Sequence, residues 1–202
     1  MPVDIPRHTF ETGAAIITGR GFDVQDTKLR SGEISPFYVN LRNLRSFPIE
    51  RDIVVDAMQR QIDEMELDFV ADVPTAMTPL VTLLANRLLL PQITPRLDNK
   101  TYGNREKIDG VYMPGQRGAL FEDTATTGTS LKDGGKVLTD AGLIITPYII
   151  TDREQGGLEA IQEVYPDAEA LITVSQLLRI GHRMGRFTAA DLSKCYKYLG
   201  KE

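Results

Sequence analysis

The stretch from Gly118 to Ser130, GALFEDTATTGTS, holds the side chains of this chain best suited to chemistry. A short apolar run, Ala119 to Phe121, ends in two adjacent acids, Glu122 and Asp123. Small hydroxyl residues then surround Gly128, and a helical pattern begins at Leu131. Carboxylates at a strand end can accept hydrogen bonds from a sugar diol or face a metal ion. A Thr/Gly/Ser loop that opens a helix offers backbone N–H groups, hydroxyls and the positive end of a helix dipole to a phosphate. Glycine lets the backbone come close to the ligand. The blander reading is an acidic strand-to-helix turn capped by Thr or Ser. A Walker P-loop is excluded, because no Gly-x-x-x-x-Gly-Lys-Ser/Thr string occurs.

Those groups need strands and helices to aim them. Ile49, Ile53, Ala57, Met58, Ile62 and Met65 recur at helical spacing. Asp68 to Val73 reads as a short buried strand, Pro74 to Thr78 as a loop, and Pro79 to Leu90 as a second helix stopped by Pro91. Gln92 to Arg96 reads as a strand. A polar stretch follows from Leu97 to Gly115, long enough to be a lid or binding loop. Gly118 to Phe121 is the next strand, Ser130 to Ala141 a helix, and Leu143 to Ile150 a strand with an awkward Pro147 inside it. This alternation predicts an α/β fold: a mostly parallel central sheet flanked by helices. Ligands in such sheets sit beyond the carboxyl ends of the strands, where the acid pair, the Pro74–Thr78 loop and the Asp152 region fall. A single domain is expected, with its core over about residues 49–175. The first 48 residues are expected to form a small N-terminal cap.

Three further segments carry chemistry: LRSGEISPFYVNLR (Leu29–Arg42), PRLDNKTYGNREKIDG (Pro95–Gly110) and TDREQGG (Thr151–Gly157). With the Gly118–Ser130 stretch, in this order and at these separations, they resemble the orotate phosphoribosyltransferases, within the type I phosphoribosyltransferases. The likeness runs from about Phe10 to Leu178. It implies transfer of ribose 5-phosphate from phosphoribosyl pyrophosphate (PRPP) to a ring nitrogen of orotate, with Mg2+ as cofactor.

The resemblance also implies roles. Glu122 and Asp123 would hold the ribose hydroxyls. The loop of Thr124, Ala125, Thr126, Thr127, Gly128, Thr129 and Ser130 would cradle the 5-phosphate, with Thr126 also touching the base. Thr75 and Ala76 lie in the loop that binds pyrophosphate through backbone N–H groups; the bulk of Met77 would either narrow that approach or point into the core. Arg96, Lys100 and Tyr102 belong to a mobile loop, 97–110, whose Lys100 would neutralise the departing pyrophosphate, often across a dimer interface. Lys100 and Asp123 are thus the expected catalytic residues, and Arg105 and Lys107 are lesser candidates in the same loop. Arg30, Tyr38 and Arg153 would contact orotate, Arg153 pairing with its carboxylate. No protein side chain is assigned to magnesium directly, although Asp123 is a candidate. Two departures stand out. Arg30 replaces a usual lysine, and Leu97 stands where many relatives carry a second basic residue.

The whole chain sets limits on these readings. Its 202 residues, 42% hydrophobic and 25% charged, suit one ordinary globular domain. One cysteine, Cys195, rules out an internal disulfide framework, and two histidines are too few for a histidine metal site. The net charge of −5 argues against general nucleic-acid affinity. The opening MPVDIPRHTF carries no secretory pattern, and no apolar run reaches membrane-spanning length, so a cytoplasmic protein without a membrane partner is expected. A stand-alone homodimer without a fused decarboxylase is the expected form. Two alternatives stay open: a phosphoribosyltransferase for another base, and a non-catalytic protein of the same fold that senses PRPP or nucleotides.

Overall fold

The computed structural model describes residues 5–29, 32–97 and 107–201. In chain order the elements are α1 (Arg7–Thr18), β1 (Phe22–Asp23), β2 (Thr27–Lys28), β3 (Ile34–Ser35) and β4 (Tyr38–Val39), then a 3-10 helix (Leu41–Ser46). Next come α2 (Pro48–Ile62), β5 (Phe69–Asp72), α3 (Thr78–Leu88), β6 (Gln92–Pro95), β7 (Ile108–Asp109) and β8 (Arg117–Ala125). The chain continues through α4 (Thr129–Asp140), β9 (Ile144–Asp152), α5 (Gly157–Gln162), β10 (Glu169–Thr173), α6 (Val174–Arg183) and α7 (Ala189–Tyr198). Among the described residues no helix is long and apolar enough to cross a membrane.

Six strands form the central sheet in the order β10-β9-β8-β5-β6-β7. Every pairing is parallel except β6 with β7. Successive side chains of a strand point to opposite faces, so each inner strand feeds two cores. Val70, Ala119, Phe121, Tyr148 and Ile150 face the layer built with α1, α2, α3 and α6. Phe69, Ala71, Leu120 and Ile149 face the other layer, filled by Leu131 and Leu138 of α4 and Ile161 of α5. Full burial of each such Leu, Ile or Phe contributes about 1.5–3 kcal/mol, which explains why these strands read as unbroken apolar runs.

The α/β architecture is therefore as expected. The first 48 residues pack onto the large core: α1 contributes Ile16 and Ile17, and the two small antiparallel ribbons of β1–β4 contribute Phe22 and Val39. Pro147 finds its explanation in register: β10 begins to pair with β9 at Tyr148, so Pro147 has a strand partner, Leu120 of β8, on one side only. Met77 is fully buried against the core and does not narrow the neighbouring loop.

Candidate functional site

β8 does not stop at the acids. Its pairing with β9 continues through Glu122 opposite Ile149 and Thr124 opposite Thr151 to Ala125 opposite Asp152. The acid pair thus sits on rigid backbone at the carboxyl end of the sheet rather than in a loop. Beyond Ala125 the chain turns through Thr126 and Thr127 to Gly128, whose φ of 68° is left-handed and caps α4. No side chain caps this helix, and its first turn carries no acid. Its leading N–H groups lack intrahelical acceptors, so they and the helix dipole are available to an anion.

These residues share a cavity of about 460 Å3, lined mostly by polar atoms. Glu122, Asp123, Thr124, Thr126, Thr127, Gly128, Thr129 and Ser130 line it. Tyr38, Val39, Arg42, Pro74 and Leu97 also line it. The hydroxyl oxygens of Thr127 and Thr129 lie 3.0 Å apart. Glu122 is buried, and its carboxyl is pushed up to about 9, first by burial and then by the charge of Asp123, with Arg42 opposing. Burial and the neighbouring Asp123 charge thus both favour the protonated form of Glu122.

Of the other expected residues, Ala125 packs in the core beneath the loop. Thr75 and Ala76 follow Pro74 across a cis Pro74–Thr75 peptide bond. Ala76 is buried, and the Thr75 carbonyl accepts a hydrogen bond from Arg45. Arg96 forms a bidentate pair with Asp109, its Nε donating at 2.9 Å. Lys107 is exposed. Arg30, Lys100, Tyr102 and Arg105 lie outside the described residues.

Arg153 follows the end of β9 and is buried, outside the cavity wall. Because Ala125 pairs with Asp152, Arg153 starts from the same sheet end as Thr126. Its guanidinium lies 4.9 Å over the Phe37 ring, immediately before the cavity-lining Tyr38. Burial lowers its pKa from the usual arginine value, and its Nη2 has no hydrogen-bond partner. Phe37 itself is core.

Two residues of consequence carry no motif of their own. Arg42 is the cation among the described residues that line the cavity. It closes the Leu29–Arg42 segment, where its charge was the available signal. Asp72, fully buried at the end of β5, accepts hydrogen bonds from Thr78, Thr94 and Gln92, the last at 2.9 Å. It fastens the far end of the 74–78 loop to β6. An acid inside DFVADV was the sole hint of it.

The chain is 32% identical over 153 residues to an orotate phosphoribosyltransferase of Caenorhabditis elegans, covering 74% of this chain and 67% of that one. It is 31% identical over 156 residues to the orotate phosphoribosyltransferase of Methanosarcina mazei, covering 76% and 83% respectively. Against longer relatives, the uridine 5′-monophosphate synthases of Caenorhabditis elegans and Bos taurus, it spans 34% and 40% of their length. Among solved structures, the UMP synthase of Leishmania donovani superposes with a TM-score of 0.86 at 24% identity, over 96% of this chain and 42% of that one. That likeness speaks for the fold. No protein-family model matches the chain.

Proposed function

The chain belongs to the orotate phosphoribosyltransferase family, and from that premise we propose that it transfers the 5-phosphoribosyl group of PRPP to a ring nitrogen of orotate. The products are orotidine 5′-phosphate and pyrophosphate, a step in making pyrimidine nucleotides. The bond from the anomeric carbon to pyrophosphate oxygen breaks, and a bond from that carbon to nitrogen forms. Positive charge develops at carbon and negative charge on the leaving group, so the protein's work is positioning and electrostatics.

The observation that carries this reading is the shared cavity: an acid pair on a strand end and an uncapped helix N-terminus line the same space of about 460 Å3. In this reading Glu122 and Asp123 orient the ribose hydroxyls. Thr126 to Ser130 and the start of α4 receive the 5-phosphate. The 74–78 loop, held at Thr75 by Arg45 and at Thr78 by Asp72, takes the pyrophosphate. Arg42 faces the anionic donor, and Lys100 neutralises the leaving group. Arg153 pairs with the orotate carboxylate. A buried guanidinium N–H without an acceptor is unfavourable by roughly 1–3 kcal/mol, and a carboxylate would satisfy it.

Magnesium is the implied cofactor. No group of three or more metal-ligating side chains is gathered among the described residues. Two adjacent carboxylates beside a phosphate-bearing substrate suit Mg2+, which commonly takes one or two carboxylates plus substrate oxygens. Bound on the pyrophosphate, it would supply charge neutralisation to the leaving group. A cytoplasmic homodimer, with the 97–110 loop serving the neighbouring subunit's site, completes the proposal. Consumption of orotate by the purified protein with PRPP and magnesium tests it.

A further inference from the structure

Three consecutive residues after β9 are tied to the last helices of the chain. Arg153 Nε donates to Gln155 Oε1 at 2.9 Å, and Gln155 Nε2 donates to the Tyr198 hydroxyl at 3.3 Å. Tyr198 ends α7, and its ring meets Phe37 edge-on at 5.7 Å and 81°. The Arg153 guanidinium covers that same Phe37 ring. Between them Glu154, at a left-handed φ of 57°, accepts from the Ser175 N–H at 2.6 Å and pairs with Lys201. The arginine is therefore boxed in by Phe37, Gln155 and Tyr198.

Each contact limits a different freedom. The Phe37 ring lies under the guanidinium at 4.9 Å and bars movement toward it. Gln155 takes the Nε hydrogen and so sets its rotation. Tyr198 holds both Gln155 and Phe37. Nη2 is buried and has no hydrogen-bond partner, while Tyr198 and the Glu33 charge lie near enough to favour the charged guanidinium. Arginine recognises carboxylates through a rigid planar fork, so a small rotation misaligns the bonds.

We propose that Gln155 and Tyr198 are positioning residues for the acceptor base, holding Arg153 against Phe37 so that its unpaired Nη2 meets a carboxylate on that base. The end of α7 is thereby part of the acceptor site. This rests on the reading of Arg153 as the partner of the orotate carboxylate.

The test compares Gln155→Leu, Gln155→Glu and Tyr198→Phe in the full chain. KM for orotate and KM for PRPP are measured separately, with calorimetric binding of orotidine 5′-phosphate and of PRPP. Gln155→Leu should raise KM for orotate about 5- to 10-fold, while kcat and KM for PRPP stay within about 2-fold. Gln155→Glu keeps an acceptor for Arg153 Nε but sets a second carboxylate beside the guanidinium, in competition with that of the base, and should raise KM for orotate at least as far as the leucine variant does. Tyr198→Phe keeps the ring and should raise KM for orotate about 2- to 3-fold. Variants that shift both KM values together, or neither, overturn the proposal, as does a glutamate variant whose KM for orotate matches the parent's. An unaltered protein that neither consumes orotate nor binds orotidine 5′-phosphate removes the functional reading itself. That outcome is seen before any variant is made.

Discussion

Gly128 and Gly157 nest against one another. A side-chain carbon on Gly128 would lie 3.0 Å from the carbonyl oxygen of Gly157 and 2.5 Å from Ile161 Cγ1. One on Gly157 would lie 2.8 Å from the Thr126 carbonyl oxygen and 2.7 Å from the Ala125 carbonyl carbon. The loop that opens α4 and the segment that opens α5 are thus seated together through bare backbone. This sets the loop proposed to receive the phosphate against the segment carrying Arg153.

Gly157→Ala tests that seating. Its clash is with backbone, which cannot swing aside, so the loop at Thr126 must move. We expect a stability loss of about 1–3 kcal/mol and a rise in KM for PRPP, read by thermal melting and steady-state kinetics. A variant as stable and active as the parent would show that the two segments are not coupled.

Glu122 makes stability depend on pH in a stated direction. Burial, with Asp123 beside it, raises its carboxyl from 4.5 to about 9, so the folded protein keeps a proton that the unfolded chain releases. Its stabilising share is full below the unfolded value and is lost as pH rises towards 9. Glu122→Gln cannot titrate. Its melting temperature relative to the parent should climb between pH 5 and pH 9, by about 2–4 °C for each kcal/mol released. A constant difference across that range contradicts the assignment.

Arg42 faces the acids and the cavity in which the polyanionic donor is proposed to bind. Arg42→Ala should raise KM for PRPP by about tenfold, the scale of one charge-assisted hydrogen bond, and leave KM for orotate nearly unchanged. Arg42→Lys should fall between the two. Equal effects on both substrates would place Arg42 outside the donor site.

Arg153→Ala should lower kcat/KM for orotate by about 10- to 100-fold. Activity on uracil, which has no carboxylate, should barely change. An equal loss on both bases would make Arg153 a general structural residue instead.

The alternation of strands and helices was legible because buried parallel strands must be apolar on both faces. β8 was the instructive exception. Its polar end, Glu122 to Ala125, reads as loop, yet pairing with β9 keeps it extended while Glu122 is buried. α6 and α7 were not resolved from the sequence, although each has a signal. Thr173 with Gln176, and Thr188 with Asp191, form capping boxes at their starts. The hydroxyl loop and the acid pair were visible because they are contiguous. The contact of Gln155 with Tyr198, the grip of Arg45 on Thr75 and the Asp72 hub join residues far apart in sequence, and no local pattern reports such pairs.

The most direct measurement is the loss of orotate's ultraviolet absorbance in the presence of purified protein, PRPP and magnesium. The account predicts consumption of orotate that requires PRPP, yields orotidine 5′-phosphate and pyrophosphate in equal amounts, and falls steeply in Lys100→Ala while PRPP still binds. Binding of PRPP without turnover, or turnover with uracil or a purine but not with orotate, would contradict it.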